Sequence, residues 1–376
     1  MAEAFKNLIN AELVRLMRRH LQHAWAGFDG ARFEALGLEG LASLELKARA
    51  QHLCAALEAT LPADFEAAAA VIEASLAPMR GDEALPALRA GDAGLAGWAV
   101  WPLAEFVARR GLATPERALQ VLHAITQRFT AEWALRPFIV EHPALAFETL
   151  QRWTRDASPH VRRLVSEGSR PRLPWGLQLK GLIADPSPTL PLLAALQDDS
   201  SDYVRRSVAN HLNDIAKDPP ALVAEWIETH LPDAPPERRA LLRHASRTLI
   251  KRGDARVLKA WGLGRRFAGE ATLAVSPKRV QLGGAVELRL TLQSTARRAQ
   301  KLAIDYAVHH VKADGRTSAK VFKGWVLELA PGETRELLKR HSMRPVTTRR
   351  YHAGRHAVDL RINGELRAEA GFDLKL

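Results

Sequence analysis

Residues 161–181, VRRLVSEGSRPRLPWGLQLKG, gather a carboxylate, several cations and an indole around one expected helix end. Gly168 predicts the stop of that helix, and the Pro-rich turn beyond it carries Arg170, Arg172 and Trp175. Cations hold phosphates, an aromatic ring packs against a sugar or base, and Glu167 adds negative charge beside them. The same residues also suit a purely structural end, with Trp175 anchored in a core and Glu167 paired with a nearby arginine. Upstream, RFTAEWALRPFIVEHP puts Glu132 and Arg136 on one helix face beside Trp133, a spacing that a surface ion pair also explains. Downstream, VRRSVANHLNDIAKD carries Asn210, Asn213 and Asp214, of which Asn210 and Asp214 share a face. Asn and Asp are mildly unfavourable inside helices, so their presence suggests placement for a contact. Glycine-rich phosphate loops, GxSxG elbows and HExxH pairs are absent, which argues against nucleotide hydrolysis, serine hydrolysis and zincin chemistry. The histidines lack a ligand-like spacing; His309 and His310 are adjacent and in a strand would point to opposite faces. Neither a metal nor a cofactor is expected.

The elements that must hold these groups are helices up to about residue 265. Apolar residues recur there at helical spacing, as at Leu13, Leu16, Met17 and Leu21, and Pro, Gly and Asp interrupt them at short intervals. DASPHVRRLVSEG from Asp156 aligns without gaps to DSSDYVRRSVANH from Asp199, a period of 43 residues. HEAT and armadillo repeats have periods of roughly 40–47 residues, and such helix pairs bury their apolar faces only by stacking. A weaker third unit, PPERRALLRHASRTLIKRGD, starts at Pro235. Arg162, Arg163, Arg205 and Arg206 recur at matched register, as either a solvated outer face or a row of phosphate contacts. Past Phe267 the pattern changes to period-two alternation rich in Val, Leu and Thr, with a hairpin expected at Asn363-Gly364. The expected architecture is a multi-domain, mostly α protein: a HEAT-like helical solenoid over residues 1–265, then a small all-β immunoglobulin-like sandwich over residues 266–376.

Composition bounds the partners. The chain of 376 residues has 47% hydrophobic and 26% charged residues, enough for more than one buried core. Its net charge of +12 favours a polyanion. Residues 267–376 hold 20 Lys/Arg against 11 Asp/Glu. Arg297-Arg298, Arg349-Arg350 and the trio His309, His310 and Lys312 form clusters able to meet a phosphate backbone; protection of sheet edges explains them equally well. One cysteine excludes an intramolecular disulfide, and neither a secretory signal nor a membrane span is visible, so a cytoplasmic protein is expected. The expected state is a monomer.

Three strings carry a family resemblance: AEWALRPF at 131–138, HVRRLVSEGSRPRLPW at 160–175 and DYVRRSVANHLNDIAKD at 202–218. They resemble the signature segments of the AlkC branch of the AlkC/AlkD DNA alkylation-repair glycosylases, some of which end in an immunoglobulin-like domain. The resemblance covers residues from about 120 to 260. It implies a HEAT-like stack that grips duplex DNA and excises N3-alkylated, cationic bases such as 3-methyladenine and 3-methylcytosine without swinging the lesion into a pocket. It also implies functional roles for Glu132, Glu167, Asp214 and Trp175, with Arg163 among the DNA-contacting residues. Arg170, Arg172, Arg206, Asn210, Asn213, His309, His310 and Lys312 complete the candidate DNA-binding set. Trp133 departs from the phenylalanine often found there, a change expected to affect packing more than chemistry. The alternatives are a non-catalytic HEAT-repeat DNA-binding or scaffold protein, and a protein-interaction adaptor acting through the β-domain.

Overall fold

The computed structural model describes residues 5–79, 85–346 and 349–376. Two compact units divide the chain: residues 1–218 with 235–245, and residues 219–234 with 246–376. The change from helix to strand comes near the predicted position, between Ala255–Ala260 and the strand Gly269–Ser276, whereas the compact units divide elsewhere along the chain.

The first unit is a HEAT-like α-helical repeat. Its helices begin where the sequence supplies the chemistry. Asn10, Asp29 and Asp64 accept backbone N–H bonds from Leu13, Arg32 and Ala67 at the starts of Ala11–Ala24, Gly30–Leu38 and Phe65–Ser75. Proline opens Pro115–Thr126, Pro143–Trp153, Pro159–Gly168 and Pro236–Ala245, where its missing N–H costs no hydrogen bond. The buried residues follow the helical period: Val14, Met17 and Leu21 in Ala11–Ala24, and Val161, Leu164 and Val165 in Pro159–Gly168.

The repeated motif has a repeated geometry. Asp156 and Asp199 each accept the backbone N–H two residues on, Ser158 and Ser201, both at 2.8 Å. Six residues after each aspartate, Arg162 and Arg205 turn back to bond the carbonyls of Asp156 and Ala157, and of Asp199 and Ser200. Arg162 also pairs with Asp199 at 2.6 Å, and His123 Nε2 lies 2.7 Å from Asp156, so a side chain from one helix fastens the loop ahead of another. These arginines are therefore not the solvated face that the sequence allowed. Side-chain exposure is 15% for Arg162, 12% for Arg163 and 13% for Arg205, and only Arg206 reaches solvent, at 70%.

The second unit holds the helices Pro220–His230, Arg247–Arg252 and Ala255–Ala260 and eight strands. The strands are β1 Gly269–Ser276, β2 Arg279–Gln281, β3 Ala285–Ser294, β4 Gln300–Val311, β5 Thr317–Leu329, β6 Thr334–Ser342, β7 Gly354–Ile362 and β8 Glu365–Lys375. They form sheets of order β1-β3-β6 and β2-β8-β7-β4-β5, antiparallel except for β2 against β8. Alternation gives the sandwich its core: Val286, Leu288, Leu290 and Leu292 of β3 are buried with Leu302, Ile304, Tyr306 and Val308 of β4. β7 and β8 join through Asn363 and Gly364, at φ of +50° and +82°, the left-handed pair that a two-residue hairpin needs.

Candidate active site

Glu132 precedes the helix Arg136–Glu141, Glu167 ends Pro159–Gly168, and Asp214 ends Asp202–Ile215. The fold brings these distant carboxylates into one alternating chain of charges. Arg163 lies 2.6 Å from Glu132 and 3.7 Å from Glu167. Arg170 lies 2.5 Å from Glu167 and 2.7 Å from Asp214. Each carboxylate also has a further donor. Thr130 donates to Glu132 at 2.7 Å, Ser207 to Glu167 at 2.6 Å and Lys217 to Asp214 at 2.7 Å. Arg163 also lies over the ring of Tyr203, 5.2 Å from its centroid. All three acids are buried, with exposures of 7%, 6% and 2% for Glu132, Glu167 and Asp214.

A carboxylate that far from water survives ionised only if its charge is matched. Burial pushes Glu167 towards protonation, but Arg163, Arg170 and the Ser207 hydroxyl outweigh it and hold the carboxyl below its ordinary range. Burial likewise opposes charge on Arg163, and Glu132, Tyr203 and Glu167 more than offset it. His211 is neutral by contrast: burial pushes it down to about 4, and its Nδ1 lies 2.9 Å from the Ser166 carbonyl.

Gly168 closes the helix by a different route from the one expected. It supplies no left-handed cap; a Cβ there would stand 2.5 Å from a Leu135 methyl, so any larger residue would have to displace the Leu135 side chain. Ser169 Oγ takes the Val165 carbonyl at 2.6 Å. The loop that follows keeps Trp175 out of the core, at 60% exposure and a φ of +62°. A non-glycine residue in this conformation stores on the order of 1–3 kcal/mol and persists only where its surroundings impose it. Side chains impose it by taking the loop's carbonyls. Trp133 Nε1 donates to Pro174 at 3.1 Å and Lys47 to Trp175 at 3.0 Å. Arg136, 0% exposed, donates to Gly168 at 2.9 Å, Arg170 at 2.8 Å, Pro171 at 3.4 Å and Leu177. Two expectations change here: Trp175 is not a core anchor, and Arg136 is not part of a surface ion pair. Trp133 stacks on Trp101, with centroids 4.3 Å apart and planes at 23°. Its indole N–H gives the loop a hydrogen bond that phenylalanine could not.

The other candidates spread out. Arg172 pairs with Asp218 through two bonds of 2.8 Å, and Arg206 with Asp202 at 2.9 Å. Asn210 contacts His244 at 2.9 Å, and Asn213 is buried. In the β-rich unit, His309 is bonded to Asp359 at 2.9 Å and Lys312 is exposed. His310 is a correction: its ring lies inside the sandwich at 4% exposure, Nε2 2.5 Å from Arg349. Burial, then the charge of Arg349, pushes it down to about 3, so it is a neutral interior acceptor and not an outward phosphate ligand.

Sequence reasoning missed Thr130, Ser207, Lys217 and the partners of Arg136. One signal was present: Ser207 occupies the register of Leu164 in the first repeat, a core position where a hydroxyl needs a reason. No group of three or more His, Cys, Asp or Glu side chains suited to a metal occurs among the described residues, nor does any described helix suffice in length and apolarity to cross a membrane.

Comparison with known proteins gives this arrangement a class. The family model for the C-terminal immunoglobulin-like domain of the uncharacterised protein YhaZ matches residues 270–376. YhaZ of Bacillus subtilis (strain 168) is itself 34% identical over 375 residues, covering 98% of this chain and 99% of its own. Among solved structures, the Pseudomonas fluorescens alkylpurine DNA glycosylase AlkC, bound to DNA containing an abasic site analog, is similar over 100% of both chains. Its TM-score is 0.90 and its identity 35%. The class is that of HEAT-like repeat proteins of the AlkC/AlkD superfamily. Within it, the chain belongs to the AlkC branch that carries a C-terminal immunoglobulin-like domain.

Proposed function

We propose that the protein is a DNA glycosylase that hydrolyses the N-glycosidic bond of cationic N3-alkylated bases, such as 3-methyladenine and 3-methylcytosine, in duplex DNA. The observation that carries this reading is the convergence of Glu132, Glu167 and Asp214 through Arg163 and Arg170. The likeness over the whole chain to an alkylpurine DNA glycosylase bound to DNA supports it.

The chemistry asks for what these residues offer. A base alkylated at N3 already carries a positive charge and leaves without a proton from a general acid. The deoxyribose then becomes cationic, and a fixed anion beside it lowers the barrier, as in glycoside hydrolysis. Glu167 is ionised at neutral pH, the form this role requires. Glu132 and Glu167 are the carboxylates assigned to the sugar and to an attacking water. Asp214, more deeply buried between Arg170 and Lys217, assists by holding Arg170. The exposed face of Trp175 attracts the developing cation. A base removed without extrusion into a pocket avoids an unstacking cost of a few kcal/mol. Arg163 and Arg170 act through the carboxylates they hold. Backbone contact falls to Arg172, Arg206, Asn210, His309 and Lys312.

One observation favours the rival scaffold reading: each carboxylate already has a cationic partner, as structural ion pairs do. Incubation with duplex DNA containing 3-methyladenine separates the two. Free 3-methyladenine in the supernatant is the expected result; tight binding with no base released favours the scaffold.

A further inference from the structure

Arg136 lies outside the carboxylate chain, yet it is fully buried and spends its guanidinium on four backbone carbonyls 32 to 41 residues further along. Three of them, on Gly168, Arg170 and Pro171, lie where Pro159–Gly168 ends, so the cation occupies the negative pole of that helix. The fourth, on Leu177, closes the far side of the loop. Between these points stand Arg170, which holds Glu167 and Asp214, and Trp175 in its left-handed conformation. The segment bearing Arg136 grips the loop twice more, through Leu135 against Gly168 and Trp133 on Pro174. Gly176 lies against the same guanidinium: a Cβ there would stand 3.2 Å from Arg136 Cδ and 3.3 Å from Nε.

We propose that Arg136 is a positioning residue for the catalytic step: by clamping the carbonyls of residues 168–177 it ties the Glu132 segment to the Trp175 loop and fixes the indole at the reacting sugar. The role rests on the glycosylase reading. It also predicts a particular failure. Of the DNA-backbone contacts, Arg206, Asn210, His309 and Lys312 lie outside the loop and Arg172 is held separately by Asp218, so a looser loop misplaces chiefly Trp175 and turnover falls while affinity stays. Lysine keeps the charge, but its single ammonium cannot span four carbonyls set around a planar fork.

The test compares wild type, Arg136→Lys and Gly176→Ala, the second pressing on the clamp from the loop side without removing a charge. Melting temperature, duplex affinity, single-turnover base release and amide exchange at residues 173–179 are read on each. Both variants are expected to bind duplex within about two-fold of wild type, to release base at least about ten-fold more slowly and to exchange amides at 173–179 faster. Exchange in Asp202–Ile215 stays as in wild type. Adding Arg136→Lys to Trp175→Ala costs no further rate, because the two act through one position. Variants that keep the wild-type rate, lose affinity instead, or add their effects to Trp175→Ala overturn the role. A wild type that releases no base overturns the glycosylase reading and this role with it, and unchanged exchange at 173–179 overturns the clamp alone.

Discussion

At Glu167 the balance between burial and two arginines decides both chemistry and stability. The folded state binds a proton there less readily than the unfolded chain does. Its contribution is therefore complete above the ordinary carboxylate range and is lost as pH falls through the lowered value. The excision rate should follow the same limb, flat through neutral pH and falling only in acid. A rate that rises on acidification would instead identify a general acid. Glu167→Gln keeps Ser207's partner but removes the charge that Arg163 and Arg170 share. Since each arginine retains a second carboxylate, the expected loss is about 1–3 kcal/mol, less than for stranding a buried ion outright, and thermal unfolding measures it.

Among the elements, the two positions of the repeated arginine pair differ: the first, Arg162 and Arg205, turns back onto its own loop in both copies, whereas the second is buried as Arg163 and exposed as Arg206. Arg162 closes its own loop and pairs with Asp199, which is 5% exposed, so Arg162→Ala should cost about 2–4 kcal/mol in denaturant titration. Arg206→Ala, at a 70% exposed side chain, should change stability by less than about 0.5 kcal/mol while weakening duplex binding and flattening its salt dependence. Equal destabilisation by the two would contradict this division. The repeat itself was legible, because its aspartates, prolines and V-R-R strings recur at a fixed period. Which arginine faces inward was not, because helical spacing assigns faces but does not say what packs against them. The site was legible in the same measure. Glu167, Arg170 and Trp175 are neighbours in the chain, whereas Glu132 and Asp214 join them only through stacking, and the family resemblance supplied them. The partners of Arg136 were hidden because they are carbonyls of a distant loop, and Glu132 at helical spacing offered a more obvious mate. Trp175 read as a core residue because its size argues for burial, while its positive φ leaves no trace in the sequence.

For the whole molecule, the charge of +12 and the basic residues 267–376 predict that duplex affinity falls steeply with salt, by roughly one decade per decade of salt for each phosphate neutralised. An adaptor acting through its β-domain predicts a flat line. The β-rich unit carries a separate pH liability. His310 and His341 are pushed by burial to about 3 and about 4, and His356 is lowered too, with Arg349 adding repulsion at all three. The unfolded chain takes up these protons near the ordinary value of about 6.5, so this unit should lose stability as pH falls from there towards about 4. Amide exchange in β4 and β7, corrected for its intrinsic pH dependence, checks this, and His310→Phe should flatten the response.

Catalysis by this site depends on an ionised carboxylate facing a sugar that turns cationic, and the single-turnover release of 3-methyladenine by Glu167→Gln tests that dependence most directly. At a temperature where the variant is folded and binds duplex like wild type, the predicted rate is lower by roughly 10²–10³-fold. A rate within a few-fold of wild type would show that the Glu167 charge does not stabilise the reacting sugar.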